Sequence, residues 1–184
     1  SDMDVILSEC KQANIPLIED AAHSLGTTWH GKNIGTLGDI GCFSFQSYKM
    51  LNAGEGGIFI TDDPELFAKA VIMSGAYEHN WMKHQGDQVY FKKWQNKLPL
   101  YNLRMNNLSA ALINAQLPEL GSRVQKGRLN HDFTAERLDK SPWISVPAKL
   151  EPEQRAPDSI QFNLVEMNST EIDLFEEITS GSGL

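Results

Sequence analysis

The stretch that decides the fold is residues 18–62, IEDAAHSLGTTWHGKNIGTLGDIGCFSFQSYKMLNAGEGGIFITD. It holds two apolar runs, residues 40–45 and 58–60, with three glycines shortly before or at the start of the second. A continuous apolar run bounded by turn residues indicates a buried strand. Lys49 lies in the turn that joins these two predicted strands, and Asp20 follows an earlier apolar run at residues 15–18. The segment therefore predicts a sheet that presents an amine and a carboxylate from its loops.

Lys49 in this setting suits covalent chemistry. An amine that attacks an aldehyde must be neutral, and partial burial at the edge of a packed sheet favours that form. The glycines leave room for a flat cofactor. Asp20 would suit a pyridinium nitrogen, because a negative charge keeps that nitrogen protonated and the ring electron-withdrawing. The alternatives are a solvated surface lysine for Lys49 and a buried cap or strand-end carboxylate for Asp20.

Short blocks of sequence recur in a defined order along the chain. They are EDAAH at 19–23, GD at 38–39, CFSF at 42–45, Lys49, GEGG at 54–57, TDD at 61–63, YNLRM at 101–105, AA at 110–111 and QL at 116–117. In this order and spacing the blocks resemble the DegT/DnrJ/EryC1/StrS family of pyridoxal-phosphate (PLP)-dependent sugar aminotransferases, which belongs to the fold-type I aspartate aminotransferase superfamily. The resemblance covers most of residues 1–125 and weakens beyond them.

The resemblance implies an α/β fold in two parts. Residues 1–120 are expected to form part of the PLP-binding large domain, a mostly parallel sheet with flanking helices. Residues 121–184 are expected to form part of a small α+β C-terminal domain. Family members are longer, and an upstream phosphate-binding loop at a helix N-terminus has no counterpart here. We therefore expect a fragment that lacks the N-terminal part of the family fold and the end of its C-terminal domain.

The resemblance also implies a role for five side chains. Lys49 would bind PLP as a Schiff base and later shuttle a proton, and Asp20 would pair with the pyridinium nitrogen. His23 would lie beside the ring, and Ser44 would bind the cofactor phosphate. Asn102 would reach the phosphate of a neighbouring subunit, because family dimers share their sites. The alternatives are a hydrogen-bonded core histidine for His23, an ordinary strand serine for Ser44, and the start of a helical region for Asn102.

The implied reaction moves an amino group from an amino acid donor, usually glutamate or glutamine, to a keto sugar nucleotide. The implied assembly is a homodimer or a higher homo-oligomer. An alternative is a catalytically inactive remnant of such an enzyme that acts as an oligomeric or binding protein. A dehydratase relative that uses the same cofactor is disfavoured, because such relatives lose the lysine that is present at position 49.

Composition narrows the partners and the compartment. The 184 residues are 41% hydrophobic and carry a net charge of −8, which argues against nucleic acid or an anionic membrane as a partner. The sequence has no apolar run of membrane-spanning length and does not start like a secretory signal, so a cytoplasmic protein is expected. The two cysteines, at positions 10 and 42, fit a reducing compartment. No zinc-ligand spacing occurs, and no metal site is predicted.

The N-terminal half around the site also has readable elements. Residues 2–13 predict an amphipathic helix that Asn14 ends, and residues 15–18 predict a fully buried strand. A hairpin is expected to turn at residues 31–33, within 27–38. A helix is expected from Pro64 to about residue 74, capped by Asp62 or Asp63.

The rest of the chain gives weaker signals. Residues 75–105 mix aromatic and lysine side chains without periodicity and predict a long functional loop; the alternative is a solvated loop with a few packed aromatic side chains. A single-stranded nucleic-acid surface is rejected because the protein is acidic. Helices are predicted from residue 106 and over 121–138, divided at Pro118. An extended connection over 139–158, a half-buried strand over 159–167, a helix over 170–178 and a flexible tail at 180–184 complete the prediction.

Overall fold

The computed structural model describes residues 1–75, 77 and 79–181. Two kinds of element alternate along these residues, and short 3-10 turns occupy Asn80–Lys83 and Leu117–Glu119. The order is α1 (Met3–Ala13), β1 (Ile18–Asp20), β2 (Thr28–Trp29), β3 (Lys32–Asn33), β4 (Ile40–Ser44), β5 (Gly57–Ile60), α2 (Pro64–Ser74), α3 (Gln88–Trp94), α4 (Asn107–Gln116), α5 (Leu120–Leu138), β6 (Ile144–Ser145), β7 (Glu153–Gln154), β8 (Asn163–Leu164) and α6 (Ser169–Gly181).

The sheet that carries the site has the strand order β1-β4-β5. Strands β1 and β4 are parallel, with Asp20 opposite Cys42, whereas β4 and β5 are antiparallel, with Ser44 opposite Gly57. The α/β fold is confirmed, and strands β4 and β5 lie where the apolar runs predicted them. Because β1 and β4 run in the same direction, the loops that follow them leave from the same edge of the sheet.

The first predicted strand is displaced along the chain. The apolar run at residues 15–18 was expected to be a fully buried strand, but β1 begins only at Ile18. Ile15 is 59% exposed and Ile18 is 61% exposed, so the prediction of burial is wrong. The physical reason is that β1 is an edge strand of the described sheet, and its apolar side chains have neighbours on fewer sides.

Local signals placed the N-terminal helices and the hairpin correctly. The Asp2 carboxylate caps α1, and Asn14, in the left-handed conformation with φ 54°, ends it. The carboxylate of Asp63 caps α2, directly before Pro64. Strands β2 and β3 form the predicted hairpin, but its turn lies at residues 30–31 rather than 31–33, because residues 32–33 belong to β3.

The segment between α2 and α4 is more ordered than its sequence predicts. Residues 75–105 were expected to be an irregular loop, yet they contain α3 and a 3-10 turn, so that prediction is wrong for the described part; residues 76 and 78 lie outside it. The rings of Trp81 and Phe91 stack with centroids 5.2 Å apart. They pack against the buried face of α2, which comprises Ala68, Val71 and Ile72. Contacts with α2, rather than a periodic pattern, hold this segment in place.

The C-terminal third of the chain contacts the N-terminal third. The 3-10 turn around Pro118 divides α4 from α5 as predicted. Strand β7 pairs antiparallel with β2, so residues 153–154 lie beside residues 28–29. The division into domains at residue 120 stays a prediction, although this pairing joins the two ranges.

The last two predicted elements differ in length from those observed. The strand predicted over residues 159–167 is reduced to the two residues of β8, and α6 extends past residue 178 to Gly181. Residues 180 and 181 therefore belong to a helix rather than to the predicted tail. Residues 182–184 of that tail lie outside the described residues.

Candidate active site

The loop that carries Lys49 connects β4 to β5 and is closed by backbone hydrogen bonds. The Phe45 amide donates to the Gly56 carbonyl at 2.8 Å, and the Ala53 amide donates to the Phe45 carbonyl at 2.9 Å. Within the loop, the Lys49 amide donates to the Gln46 carbonyl at 2.9 Å. Gly56 has φ 145°, and a Cβ there would lie 2.7 Å from the Met105 side chain. The backbone conformation and the contact with Met105 thus explain why position 56 is a glycine.

The inner side of the same loop is anchored in a small core. Leu51 is fully buried and belongs to a cluster with Phe45 and Ile113 of α4. The Gln116 side chain donates to the Asn52 carbonyl at 2.7 Å and accepts from the Asn52 amide at 3.3 Å. Helix α4 therefore fixes the backbone next to Lys49, and the lysine side chain is half-buried rather than fully solvated.

The Lys49 amine contacts the imidazole of His23. The Lys49 Nζ and His23 Nε2 atoms are 2.5 Å apart. The opposite ring nitrogen, Nδ1, lies 3.2 Å from Asp158 Oδ2 and 3.5 Å from Oδ1. The His23 side chain is 70% exposed, so the alternative of a core histidine is wrong. A three-member polar chain, Asp158–His23–Lys49, therefore extends along the candidate site.

Asp20 and Ser44 stand at the ends of the two parallel strands. Asp20 is the last residue of β1, and its Oδ1 accepts from the Ala22 amide at 3.1 Å. It is exposed, so it is not a buried carboxylate, but its position at the end of β1 is that of the strand-end alternative, and its role toward a pyridinium nitrogen stays a prediction. Ser44 is the last residue of β4, and its Oγ accepts from the Gln46 amide at 3.3 Å. Both side chains leave the sheet at the edge from which the His23 and Lys49 loops start.

Asn102 lies on a different segment from the other four predicted site residues. The flanking amides of Tyr101 and Leu103 donate to the carbonyls of Met73 and Ser74, at 2.8 and 3.1 Å. These bonds hold the segment against the end of α2, with Asn102 exposed. Because α4 starts five residues later, Asn102 does not begin the helical region. Its role toward a neighbouring subunit stays a prediction.

Sequence reasoning did not identify two carboxylates that support the candidate site. Asp158 lies 135 residues from His23, and its proline-rich surroundings carry no signal for the contact. Glu19 is 6% exposed and accepts from the amides of Gly35, Leu37 and Gly38, each at 2.7 Å. The position of Glu19 in an apolar strand followed by a glycine-rich loop is the signal that could have indicated that it binds these amides. Glu19 thereby fixes the loop that enters β4.

The donor set fits PLP and does not fit a metal ion. Lys49 offers an amine for an aldehyde, Asp20 an anion for a pyridinium nitrogen, and Ser44 a hydroxyl for a phosphate. Across residues 1–75, 77 and 79–181, no group of three or more His, Cys, Asp or Glu side chains is arranged to hold a metal. In the same residues, no helix combines the length and apolar character needed to cross a membrane.

Comparison with solved proteins identifies the class of fold. The structure superposes on that of 3-amino-5-hydroxybenzoic acid synthase with a TM-score of 0.85 and 24% identity, over 100% of this chain and 46% of that one. It also superposes on the aminotransferase TlmJ from Streptoalloteichus hindustanus with a TM-score of 0.82 and 22% identity, over 100% and 47% of the two chains. The fold is therefore that of an α/β aminotransferase.

Sequence comparison then identifies the family. The model of the DegT/DnrJ/EryC1/StrS aminotransferase family matches residues 1–178, and the chain belongs to that family. It is 35% identical to the GDP-perosamine synthase of Escherichia coli O157:H7 over 148 residues, which is 80% of this chain and 38% of the relative. It is 34% identical to the 3-amino-5-hydroxybenzoate synthase of Amycolatopsis mediterranei (strain S699), over 67% of this chain and 30% of the relative. The chain thus spans about a third of these curated relatives.

Proposed function

We propose that this chain provides the reactive lysine of a PLP-dependent aminotransferase, which transfers an amino group from an amino acid donor to a keto sugar nucleotide. The observation that carries the proposal is the contact of the Lys49 amine with His23, at the sheet edge where Asp20 ends β1. Membership of an aminotransferase family supports it. The name of the E. coli relative, GDP-perosamine synthase, favours a sugar nucleotide as the acceptor.

Each proposed residue has a separate task. When bound, PLP supplies an aldehyde for the amine to attack and a ring that withdraws electrons from the donor's α-carbon. Lys49 holds the cofactor and, once free, takes the proton from that α-carbon. Asp20 keeps the proton on the ring nitrogen, and Ser44 donates its hydroxyl hydrogen to the phosphate. His23 flanks the ring and contacts the Lys49 amine.

We also propose that the protein acts as a homodimer or a higher homo-oligomer in the cytoplasm. Leu108 and Leu112 lie one turn apart on α4 and are 73% and 48% exposed, so this helix offers an apolar face to a partner. Asn102 lies on the segment that leads into this helix, and in an oligomer it would reach the neighbouring site. Both cysteines are free, as is usual in a reducing compartment.

A spectroscopic experiment tests the proposed role of Lys49. PLP is added to the purified chain, excess cofactor is removed by dialysis, and the visible absorbance of the lysine adduct is recorded. The matched control is Lys140→Ala, because Lys140 is an exposed lysine in the turn after α5 whose partner is Glu136. We expect the band in the wild type and in the control, and its loss in Lys49→Ala. A band that survives in Lys49→Ala, or that is absent from the wild type, overturns the proposal; the latter result favours the non-catalytic alternative.

A second experiment tests the acceptor. The PLP-loaded protein is incubated with glutamate and a keto sugar nucleotide, and the 2-oxo acid derived from glutamate is measured. We expect this product to depend on both the sugar nucleotide and Lys49. Product that forms equally well without the sugar nucleotide would argue for a different acceptor while leaving the role of the lysine intact.

A further inference from the structure

We infer that Asp158 is a positioning residue that fixes His23 in the tautomer whose Nε2 lone pair faces the Lys49 amine. The inference rests on the proposed function, because it concerns the lysine that would hold the cofactor. It adds to the site a side chain from the C-terminal part of the chain, well outside the block of sequence that contains Lys49. It also gives His23 a task at the amine besides its place beside the ring.

The hydrogen positions in this chain follow from the chemistry of its two ends. An ionised carboxylate can only accept, so the hydrogen between Asp158 and His23 must be on Nδ1. A neutral imidazole that carries its hydrogen on Nδ1 has a lone pair on Nε2. A lysine ammonium can only donate, and Lys49 Nζ lies 2.5 Å from the Nε2 atom that carries this lone pair. All three groups are therefore satisfied by a single arrangement of hydrogens, which Asp158 selects.

The structure holds the Asp158 segment firmly. The Ala156 amide is buried and donates to Thr27 Oγ1 at 2.9 Å, which ties the segment to the residue before β2. The guanidinium of Arg128, on α5, donates to the Arg155 carbonyl at 2.5 Å. The Ser159 hydroxyl donates to Asp158 Oδ1 at 3.2 Å, which leaves Oδ2 as the nearer oxygen to His23. These contacts are fixed independently of His23, so the carboxylate can orient the ring.

Burial makes the carboxylate the fixed member of the pair. The Asp158 side chain is 13% exposed, whereas that of His23 is 70% exposed. A charge-assisted hydrogen bond to a sheltered carboxylate limits the rotation of an exposed ring. Without it, His23 could turn away from Lys49 or carry its hydrogen on the nitrogen that faces the amine.

The arrangement also provides a route for one proton. Lys49 must lose a proton before its amine can act as a nucleophile. The Nζ–H bond of Lys49 breaks and an Nε2–H bond forms on His23, so the positive charge moves from the ammonium to the imidazole. The imidazolium then lies between the neutral amine and the negative Asp158, which stabilises it. The Nε2 atom of His23 is thus placed to accept the proton that Lys49 must lose.

Nitrogen NMR of the cofactor-free protein tests the tautomer directly. Histidine labelled with ¹⁵N distinguishes protonated from unprotonated ring nitrogens, and His23→Gln assigns the signal among the five histidines of the chain. We expect the neutral His23 to carry its hydrogen on Nδ1 in the wild type. In Asp158→Asn the amide can donate to Nδ1, so the Nε2–H form should appear; Asp158→Glu should restore the wild-type pattern. An Nε2–H tautomer in the wild type, or an unchanged tautomer in Asp158→Asn, overturns the inference.

A rate measurement tests the consequence for Lys49. We expect the lysine–PLP adduct to form about tenfold more slowly in Asp158→Asn, by analogy with the lower end of the range for carboxylates that orient metal-binding histidines. Asp173→Asn, a change at an exposed position of α6, is the matched control and should not alter the rate. Unchanged formation in Asp158→Asn with an altered tautomer would also overturn the inference. Failure of the proposed function is distinguishable, because an adduct would then still form in Lys49→Ala.

Discussion

Arg123 of α5 donates from Nη1 to the carbonyl of Met50 at 3.1 Å, so a helix from the C-terminal half holds the peptide unit between Met50 and Leu51, next to Lys49. The same nitrogen donates to the Gln116 side chain at 3.0 Å, and Gln116 in turn bonds to Asn52. The lysine loop is therefore positioned by α4 and α5 and not only by the strands that flank it. Its stability should depend on residues that never touch the reacting groups.

Leu51→Ala should destabilise the protein and weaken cofactor capture together. Leu51 is fully buried beneath the lysine loop, and truncation leaves a cavity that costs about 2–5 kcal/mol of unfolding free energy. Urea denaturation measures this change. The matched control, Leu129→Ala, alters a side chain that is 66% exposed and should change the unfolding free energy by less than about 0.5 kcal/mol. Similar losses in the two variants would contradict the packing described for the loop.

Glu19→Gln should destabilise the fold although it changes few atoms. The Glu19 carboxylate is buried and accepts three amide hydrogens, and a neutral side chain with a single carbonyl oxygen cannot replace it. Hydrogen bonds to charged groups contribute about 1.5–3 kcal/mol each, so we expect a loss of about 2 kcal/mol or more in unfolding free energy. The same change at Glu136, whose side chain is 75% exposed, serves as the control in the denaturation series. A Glu19→Gln protein as stable as that control would show that the three bonds contribute nothing net.

The contribution of Glu65 to stability should disappear in acid. Hydrogen bonds from Lys93 and Trp94 lower the pKa of the Glu65 carboxyl below its ordinary value of 4.5. Because the folded-state pKa is lowered, the stabilisation is fully present above 4.5 and is lost as the pH falls through the folded-state pKa. We expect wild type and Glu65→Gln to differ in unfolding free energy at neutral pH and to converge in acid. Glu9→Gln, at an exposed position of α1, is the control variant. A difference between wild type and Glu65→Gln that persists at low pH would refute the ion-pair explanation.

Leu108→Glu should weaken self-association if the exposed face of α4 is an interface. The chain has a mass of 20.6 kDa, and sedimentation of the wild type should give a multiple of that value. A buried, unpaired glutamate opposes association, so the variant should shift toward the monomer mass. Leu129→Glu places the same charge on an exposed position of α5 and should leave the mass unchanged. A wild type that sediments as a monomer would remove the proposed interface.

The sequence was most informative where the structure is set by neighbouring residues. The cap at Asp63 and the proline after it predicted the start of α2, and the apolar runs around Lys49 predicted β4 and β5. The order of the family blocks indicated Lys49, Asp20 and Ser44 as the candidate amine, carboxylate and hydroxyl. Lys49 and His23 were predicted separately, and the structure brings them into contact.

What the sequence could not predict depends on distant contacts. Helix α3 is seven residues long and has one buried residue, Phe91, so it gives no periodic signal. The pairing of β7 with β2 involves two residues on each strand, which is too short for an alternating pattern. That pairing, the contact of Ala156 with Thr27 and the contact of Arg128 with Arg155 bring Asp158 to His23. Such long-range pairs leave no local trace in a single sequence.

The Asp158 to His23 contact has a consequence for biosynthesis. A nascent chain leaves the ribosome N-terminus first, so His23 emerges 135 residues before Asp158, whose carboxylate faces it in the folded protein. During that interval the nascent polypeptide already exposes its amine, yet lacks the partner that orients the ring beside it. Contacts between residues so far apart form late in folding, because a long loop must close first. Competence to capture an aldehyde should therefore arise only after the Asp158 segment has emerged and packed against the residues before β2.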